Sequence, residues 1–299
     1  QQVPHPPGAP LFLMVGKLFH LLPFGDPGWR VNLVSVVSST VTIWLLYLIT
    51  VRVIRRVFGQ DLDDQGNGTG YGTGNGLLVY GSAFVAAMTY TFTDTFWFNA
   101  VESEVYAASS LFVALIVWLM CVWNDKADEP GHERYLILIA YILGLSIGVH
   151  LLSILAIFSL ALIVYFRKYT FSVKSLLLTM GIGLATFFIT YYVIILKLPS
   201  LFDGTLPMFK NEAGEYAITD SIFVTLLGFG LIVAAAYGVW YGSKTKHGVL
   251  SMVCTSFLLL LVGYSTYTHI MIRANSHPPM NENAPTTLAK LVDLSLIHI

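Results

Sequence analysis

The residues best placed for chemistry are two carboxylates in apolar surroundings. Asn99-Ala100-Val101-Glu102-Ser103-Glu104-Val105-Tyr106 lies between the apolar runs Leu77–Phe98 and Ala107–Trp123. Each run is long enough to cross a bilayer, since about 20 residues at ~1.5 Å rise span ~30 Å. Acids at the turn of a membrane hairpin sit at the membrane face, where water reaches them and a hydroxyl proton can be taken up. If the helix continues through the turn, Glu102 and Tyr106 share a face while Glu104 points elsewhere. Solvated loop acids are the plain alternative.

Further polar groups punctuate the rest of the chain. His150 separates the apolar runs Tyr135–Val149 and Leu151–Phe166, and Arg273 follows directly on Val249–Met271. His5, His277, Asn281 and Glu282 lie in Pro-rich segments near the two ends. Carboxylates, imidazoles and a cation form a set for acid–base work with anion binding, and the guanidinium fork suits phosphate. Ionisable groups at membrane depth are costly and tend to be functional. His150 bonding only a backbone carbonyl, and Arg273 merely snorkelling to headgroups, stand as alternatives. The histidines have no HExxH spacing and no nucleophile elbow is present, so the metal and triad signals are weak.

These groups need a membrane scaffold to hold them. The chain has 299 residues, 56% hydrophobic and 11% charged, against about 25% charge for a soluble domain. Its mean hydropathy is +0.71. The composition predicts an all-α polytopic membrane protein with about eight spans. The formal net charge of -1 speaks against a nucleic-acid partner. Cys121 and Cys254 lie inside apolar runs and read as small core hydrophobes. Leu11–Leu22, bracketed by prolines, is too short to span and suits an interfacial helix. The stretch Gly59–Gly76 reads as a flexible loop; no strand precedes it and no Lys-Ser/Thr follows, as a phosphate cradle would require.

Charge sets the expected sidedness. The loops holding Arg52, Arg55, Arg56, Lys126, Arg134, Arg167, Lys168, Lys174, Lys244 and Lys246 are the basic set, expected in the cytoplasm. The His5 segment, the Glu102/Glu104 knot, His150, residues 197–220 and the Arg273 tail then face outward together. Gly144 and Gly148 form a GxxxG expected to let helices pack closely, with Gly181/Gly183 and Gly228/Gly230 serving likewise.

Several motifs carry a resemblance. His5-Pro6-Pro7-Gly8-Ala9-Pro10, Phe24-Gly25-Asp26, Thr93-Asp94-Thr95-Phe96-Trp97-Phe98, Glu102-Ser103-Glu104-Val105-Tyr106-Ala107, Gly144-Leu145 through His150, Ile272-Arg273-Ala274-Asn275 and Pro278-Pro279-Met280-Asn281-Glu282-Asn283 occur in that order. The chain thereby resembles a bacterial multi-pass family related to protein O-mannosyltransferases, within the GT-C superfamily of glycosyltransferases. The resemblance implies transfer of a sugar, mannose, from a polyprenyl-phosphate donor to an acceptor hydroxyl, a Ser or Thr of an exported protein, or to a glycan. It implies an inner (cytoplasmic) membrane location with the active side facing the periplasm, and the lipid bilayer as surroundings. It names no cofactor and leaves room for a divalent cation. Glu102, Glu104 and His5 are the catalytic candidates, Arg273 and His150 the donor-phosphate candidates, and Asn281 and Glu282 the outer-loop site candidates.

The chain begins with Gln1, and the family's main base is expected upstream of it. The expectation is a fragment, inactive as it stands, with residues 1–293 as the transmembrane GT-C-like domain. Residues 294–299 are expected to be a non-native tail. A secondary transporter would place its polar groups near the midplane, and a non-catalytic membrane scaffold would need none of the acid, His and Arg set. Both remain as rival readings.

Overall fold

The computed structural model describes residues 3, 8–57, 73–205, 221–288, 290–291 and 294. The helices in order are α1 (Pro10–His20), α2 (Pro27–Val57), α3 (Thr73–Thr91), α4 (Asp94–Val101), α5 (Val105–Lys126), α6 (Glu133–Ile147), α7 (Ala156–Lys168), α8 (Val173–Phe188), α9 (Leu198–Phe202), α10 (Ile222–Lys244), α11 (Gly248–Tyr264) and α12 (Thr268–Asn275). Short 3-10 turns precede α7 (Leu151–Leu155) and α12 (Ser265–Tyr267), and a π segment, Ile189–Lys197, joins α8 to α9. Among the described residues the extended structure is one isolated parallel bridge, Val3 to Asn281. Among the described residues, six helices, counting continuous runs, are long and apolar enough to cross a membrane, or seven if a bent pair is one span. The eighth expected run corresponds to α6, whose 15 residues reach only about 22 Å. The protein is an all-α polytopic membrane protein.

The chain divides into two compact units, Val15–Lys126 and a second made of Gln1–Met14 with Ala127–Ile299. In the first, α2 is the centre, packed by α3, α4 and α5. It buries Ser35, Ser38, Ser39 and Thr42, while α5 buries Ala107, Ala108 and Ser109. Small side chains let these backbones approach, and hydroxyls can bond within their own helix, as Thr42 Oγ1 does to the Ser38 carbonyl at 2.7 Å. One end of the α2/α5 pair is ionic. Asp125 accepts from Arg52 at 3.2 Å and from Arg56 at 2.6 Å, and Arg52 lies over the Trp118 ring. At the entry to α2, Arg30 donates to the carbonyls of His20, Phe24 and Gly25. Gly25 has φ +76°, and a Cβ there would stand 2.5 Å from the Trp29 ring, so only glycine closes this turn without strain.

The expected single span Leu77–Phe98 is not one helix. It breaks at Thr93, and the two parts, Gly76–Thr91 and Asp94–Val101, meet at 68°. Thr93 turns its hydroxyl back to the Tyr90 carbonyl at 2.8 Å. Asp94 then opens α4, where a carboxylate favours the helix N-terminus. The Gly-rich stretch also ends earlier than expected. Thr73–Gly76 is already helical, and its earlier residues, 59–72, lie outside the described ones.

The second unit is organised on the crossing of α6 and α11. A Cβ on Gly144 would meet the Leu260 carbonyl oxygen at 2.2 Å, and one on Gly263 would meet the Leu145 nitrogen at 2.5 Å. Only glycine permits backbones this close, as the GxxxG pattern predicts. Gly228 packs against Leu201 and Phe202, and Gly183 makes ordinary contact with Ala161. Gly181 and Gly230 have nothing within 4 Å, so their expected packing role is corrected: they face outward. At the π segment, Pro199 lacks the N–H that an α-helix would send to the Ile195 carbonyl. The Tyr264 hydroxyl donates to that carbonyl at 2.9 Å and ties this span to α11. Asp128 pairs with Arg167 and Lys168 at the far end of α7. Leu291 and Leu294 are buried; residues 295–299 lie outside the described ones.

Candidate functional site

The acidic knot belongs to the Val15–Lys126 unit, and α2 ties it down. Helix α4 stops at Val101 and α5 starts at Val105. Glu102 between them is extended, with φ -108° and ψ 148°. The shared helical face of Glu102 and Tyr106 therefore does not arise, because no continuous helix joins them. What fixes the turn is polar. Asn32 donates its amide to the Val101 carbonyl at 3.2 Å and accepts from the Ser103 hydroxyl. Ser35, fully buried, reaches the Glu104 carbonyl at 3.4 Å, and the Glu104 amide closes on the Glu102 carbonyl at 2.9 Å. Both carboxylates are exposed at the opposite end of α2 from the Arg52–Arg56–Asp125 cluster.

The other described candidates lie in the second unit, and three chain segments meet there. The Leu11 amide donates to the Gly148 carbonyl at 2.8 Å. A Cβ on Gly148 would stand 2.4 Å from Thr266 Oγ1 and 3.2 Å from Leu11 Cβ. The start of α1, the end of α6 and the entry to α12 thus share one corner. His150 lies two residues beyond Gly148 and caps the 3-10 turn, its Nδ1 accepting from the Leu152 amide at 3.1 Å. Nδ1 is the acceptor, so the neutral ring carries its proton on Nε2 and presents a donor there. Burial holds the imidazole below the ordinary histidine pKa, which favours that neutral form.

Arg273 is seven residues after Thr266, about two turns or ~10 Å along the helical path. It is half-buried in the last turn of α12. Asn281 returns to this helix end, donating its amide to the Ala274 carbonyl at 3.2 Å. Asn275 pins the same loop from the other side, donating to the Met271 and Thr286 carbonyls, each at 2.9 Å. The Val3 amide adds a bond to the Met280 carbonyl at 3.0 Å, with Val3 fully buried. His277, Asn283 and Ala284 all have positive φ, so the loop is held in a conformation that non-glycine residues resist. Glu282 is exposed at its tip.

The structure therefore gathers His150, Arg273 and Asn281 in one unit and holds Glu102 and Glu104 in the other. His5 lies outside the described residues, between Val3 and Gly8. Sequence reasoning missed Asn32, Ser35, Thr266 and Asn275 as positioning residues. Asn32 carried a readable signal, an amide within the first turns of an apolar helix. Among the described residues no three His, Cys, Asp or Glu side chains gather as metal ligands.

The fold and these positions can be set beside known proteins. No solved structure matches. The chain is 25% identical over 136 residues to protein O-mannosyl-transferase tmem260 of Dictyostelium discoideum, covering 44% of this chain and 14% of that protein. It is 26% identical over 146 residues to protein O-mannosyl-transferase TMEM260 of Mus musculus, covering 48% of this chain and 18% of that protein. Each match thus takes in less than a fifth of the relative. The profile of the protein O-mannosyl-transferase TMEM260 N-terminal domain matches residues 1–173. That stretch includes His5, Glu102, Glu104 and His150 and stops before Arg273, Asn281 and Glu282. The match takes in more than half of the chain, which belongs to the TMEM260 N-terminal domain family of protein O-mannosyl-transferases.

Proposed function

We propose that the protein is a membrane glycosyltransferase that moves a sugar, mannose, from a polyprenyl-phosphate donor to a Ser or Thr hydroxyl of an exported protein. The family match over residues 1–173 carries this reading. The GT-C type of fold and the lipid-linked donor belong to the same proposal. In the reaction a carboxylate takes the acceptor hydroxyl proton while the oxygen pair bonds to the anomeric carbon from the face opposite the leaving group. The bond from that carbon to the phosphate oxygen breaks, and its electron pair leaves on the phosphate. The donor phosphate then needs cations and N–H donors.

On this chain, Arg273 supplies the charge and a bidentate fork. His150 supplies a neutral Nε2–H. Asn281, fixed beside the end of α12, and Glu282 line the outer loop. Glu102, Glu104 and His5 serve the acceptor side. In each unit these residues face away from the cytoplasm, toward the periplasm for a chain of bacterial origin. The basic clusters around Asp125 and Asp128 support that sidedness, since each lies at the other end of its unit's helices.

The test is mannose transfer to a Ser/Thr-containing peptide in membranes from cells producing the complete enzyme that carries this chain, upstream base included, with a polyprenyl-phosphate mannose donor. Transfer is expected, and it should drop in Glu102→Gln and Arg273→Ala. Membranes with the protein folded but no peptide mannosylation above the empty-vector level would overturn the assignment.

A further inference from the structure

We propose that α4 is an interfacial helix that docks on the lipid surface of the bilayer, and that this docking sets the depth of the acidic turn at its end. The face α4 turns inward is Phe96, Asn99 and Ala100, spaced as one side of a helix. The opposite face is Trp97, Phe98 and Val101, exposed at 49%, 62% and 47%. A helix in water carries polar residues there. This one is apolar there, with Asp94 and Thr95 at the helix start and Asn99 on the inward face.

Continuity with the membrane-facing side of α3 names the lipid bilayer as the occupant. That helix exposes Leu77, Leu78, Phe84 and Val85 along a stretch of spanning composition. Phe92 at the bend stacks on Trp97, ring centroids 5.8 Å apart, so the exposed apolar surface passes from α3 to α4 without a break. Length agrees. With α3 along the membrane normal, Gly76–Thr91 rises about 24 Å, and eight residues inclined at 68° add only about 4–5 Å. The pair reaches the ~30 Å thickness of the hydrocarbon core as α4 turns toward the plane. Trp at that level is the residue type the interface favours. Asn32 and Ser35 hold the chain after α4, so the carboxylates of Glu102 and Glu104 stand at headgroup level. This inference does not depend on sugar transfer.

The test uses the whole chain in proteoliposomes, with Cys121 and Cys254 replaced by Ala. Nitroxide labels are placed singly at Thr95→Cys, Trp97→Cys, Phe98→Cys, Val101→Cys and Ser103→Cys. Collision with oxygen, which enters lipid, is compared with collision by a water-soluble nickel chelate. The oxygen-to-nickel ratio is expected to be several-fold higher at positions 97, 98 and 101 than at 95 and 103. Nickel access at all five positions would overturn the proposal, and shielding of 97, 98 and 101 from both agents would overturn it in favour of a protein partner. Trp97 gives a second reading in the unlabelled protein. Fluorescence quenching by lipids brominated near the headgroup should weaken in Trp97→Phe, and equal quenching in both would sink the idea.

Discussion

Gly144→Ala is expected to loosen the second unit, because the added methyl meets backbone. The built Cβ lies 2.2 Å from the Leu260 carbonyl oxygen and 2.9 Å from the Leu260 carbonyl carbon. No rotamer change can relieve a clash with main chain. To restore an ordinary contact, α6 and α11 must part by about 1 Å, a gap that forfeits roughly a quarter to a half of the dispersion energy of the atoms it separates. Overpacking of this kind costs about 1–3 kcal/mol, and a backbone obstacle puts Gly144 at the upper end, about 3 kcal/mol. Gly263→Ala on the facing helix should cost a similar amount, its Cβ being 2.5 Å from the Leu145 nitrogen. The double variant should cost less than the two together, since helices already parted by one methyl admit the second. Gly181→Ala and Gly230→Ala are the controls. Nothing lies within 4 Å of either, and Ala is the better helix former by up to about 1 kcal/mol. Denaturation of the purified protein in mixed micelles, followed by circular dichroism, gives the five free-energy changes. A silent Gly144→Ala, or controls as damaging as the crossing variants, would refute the close-packing argument.

Arg273→Lys separates phosphate clamping from snorkelling. Losing a charge-assisted hydrogen bond of about 1.5–3 kcal/mol should weaken apparent donor affinity roughly ten- to a hundred-fold, whereas an unchanged affinity leaves Arg273 as a lipid anchor. Asn32→Leu removes both of its bonds to the acidic turn, about 2 kcal/mol at ~1 kcal/mol each. Amide exchange across residues 99–106 should then accelerate, and unchanged protection would discount the tie. Cysteines at Ser103 and Ser276 should react with an impermeant thiol reagent from the non-cytoplasmic side in a background lacking Cys121 and Cys254; labelling of Lys126→Cys from that side instead would reverse the orientation. The pH dependence of stability tests His150. Its folded pKa lies below the ordinary value of 6.5, so the unfolded chain takes up the proton first as pH falls. Stability is present above about pH 6.5 and declines below it, as protonation of Nδ1 also breaks the cap on Leu152. His150→Gln should flatten that decline in a pH series of thermal melts, and an identical slope would assign it to other groups.

Hydropathy is a property of each residue's own transfer from water, so the sequence alone determined the membrane class, the positions of the long spans and the packing role of Gly144. It also marked the proposed site residues Glu102, Glu104, His150 and Arg273, which stand where apolar runs end. Partners far along the chain decided the rest. The run Leu77–Phe98 is mostly apolar, yet it bends at Thr93, and the turn after α4 is tied by Asn32 bonding the Val101 carbonyl across a separation of 69 residues. A helix-capping type followed by an acid, Thr93-Asp94, was the only local sign of the bend. Gly181 and Gly183 look alike in sequence, yet one faces outward and the other meets Ala161. His150 and Arg273 fall in one unit, where Gly148 lies under Thr266, and the seat of Asn281 rests on Ala274 and Val3. Tertiary structure decided these because a hydrogen bond or a van der Waals contact needs both partners in place, and periodicity specifies only one of them.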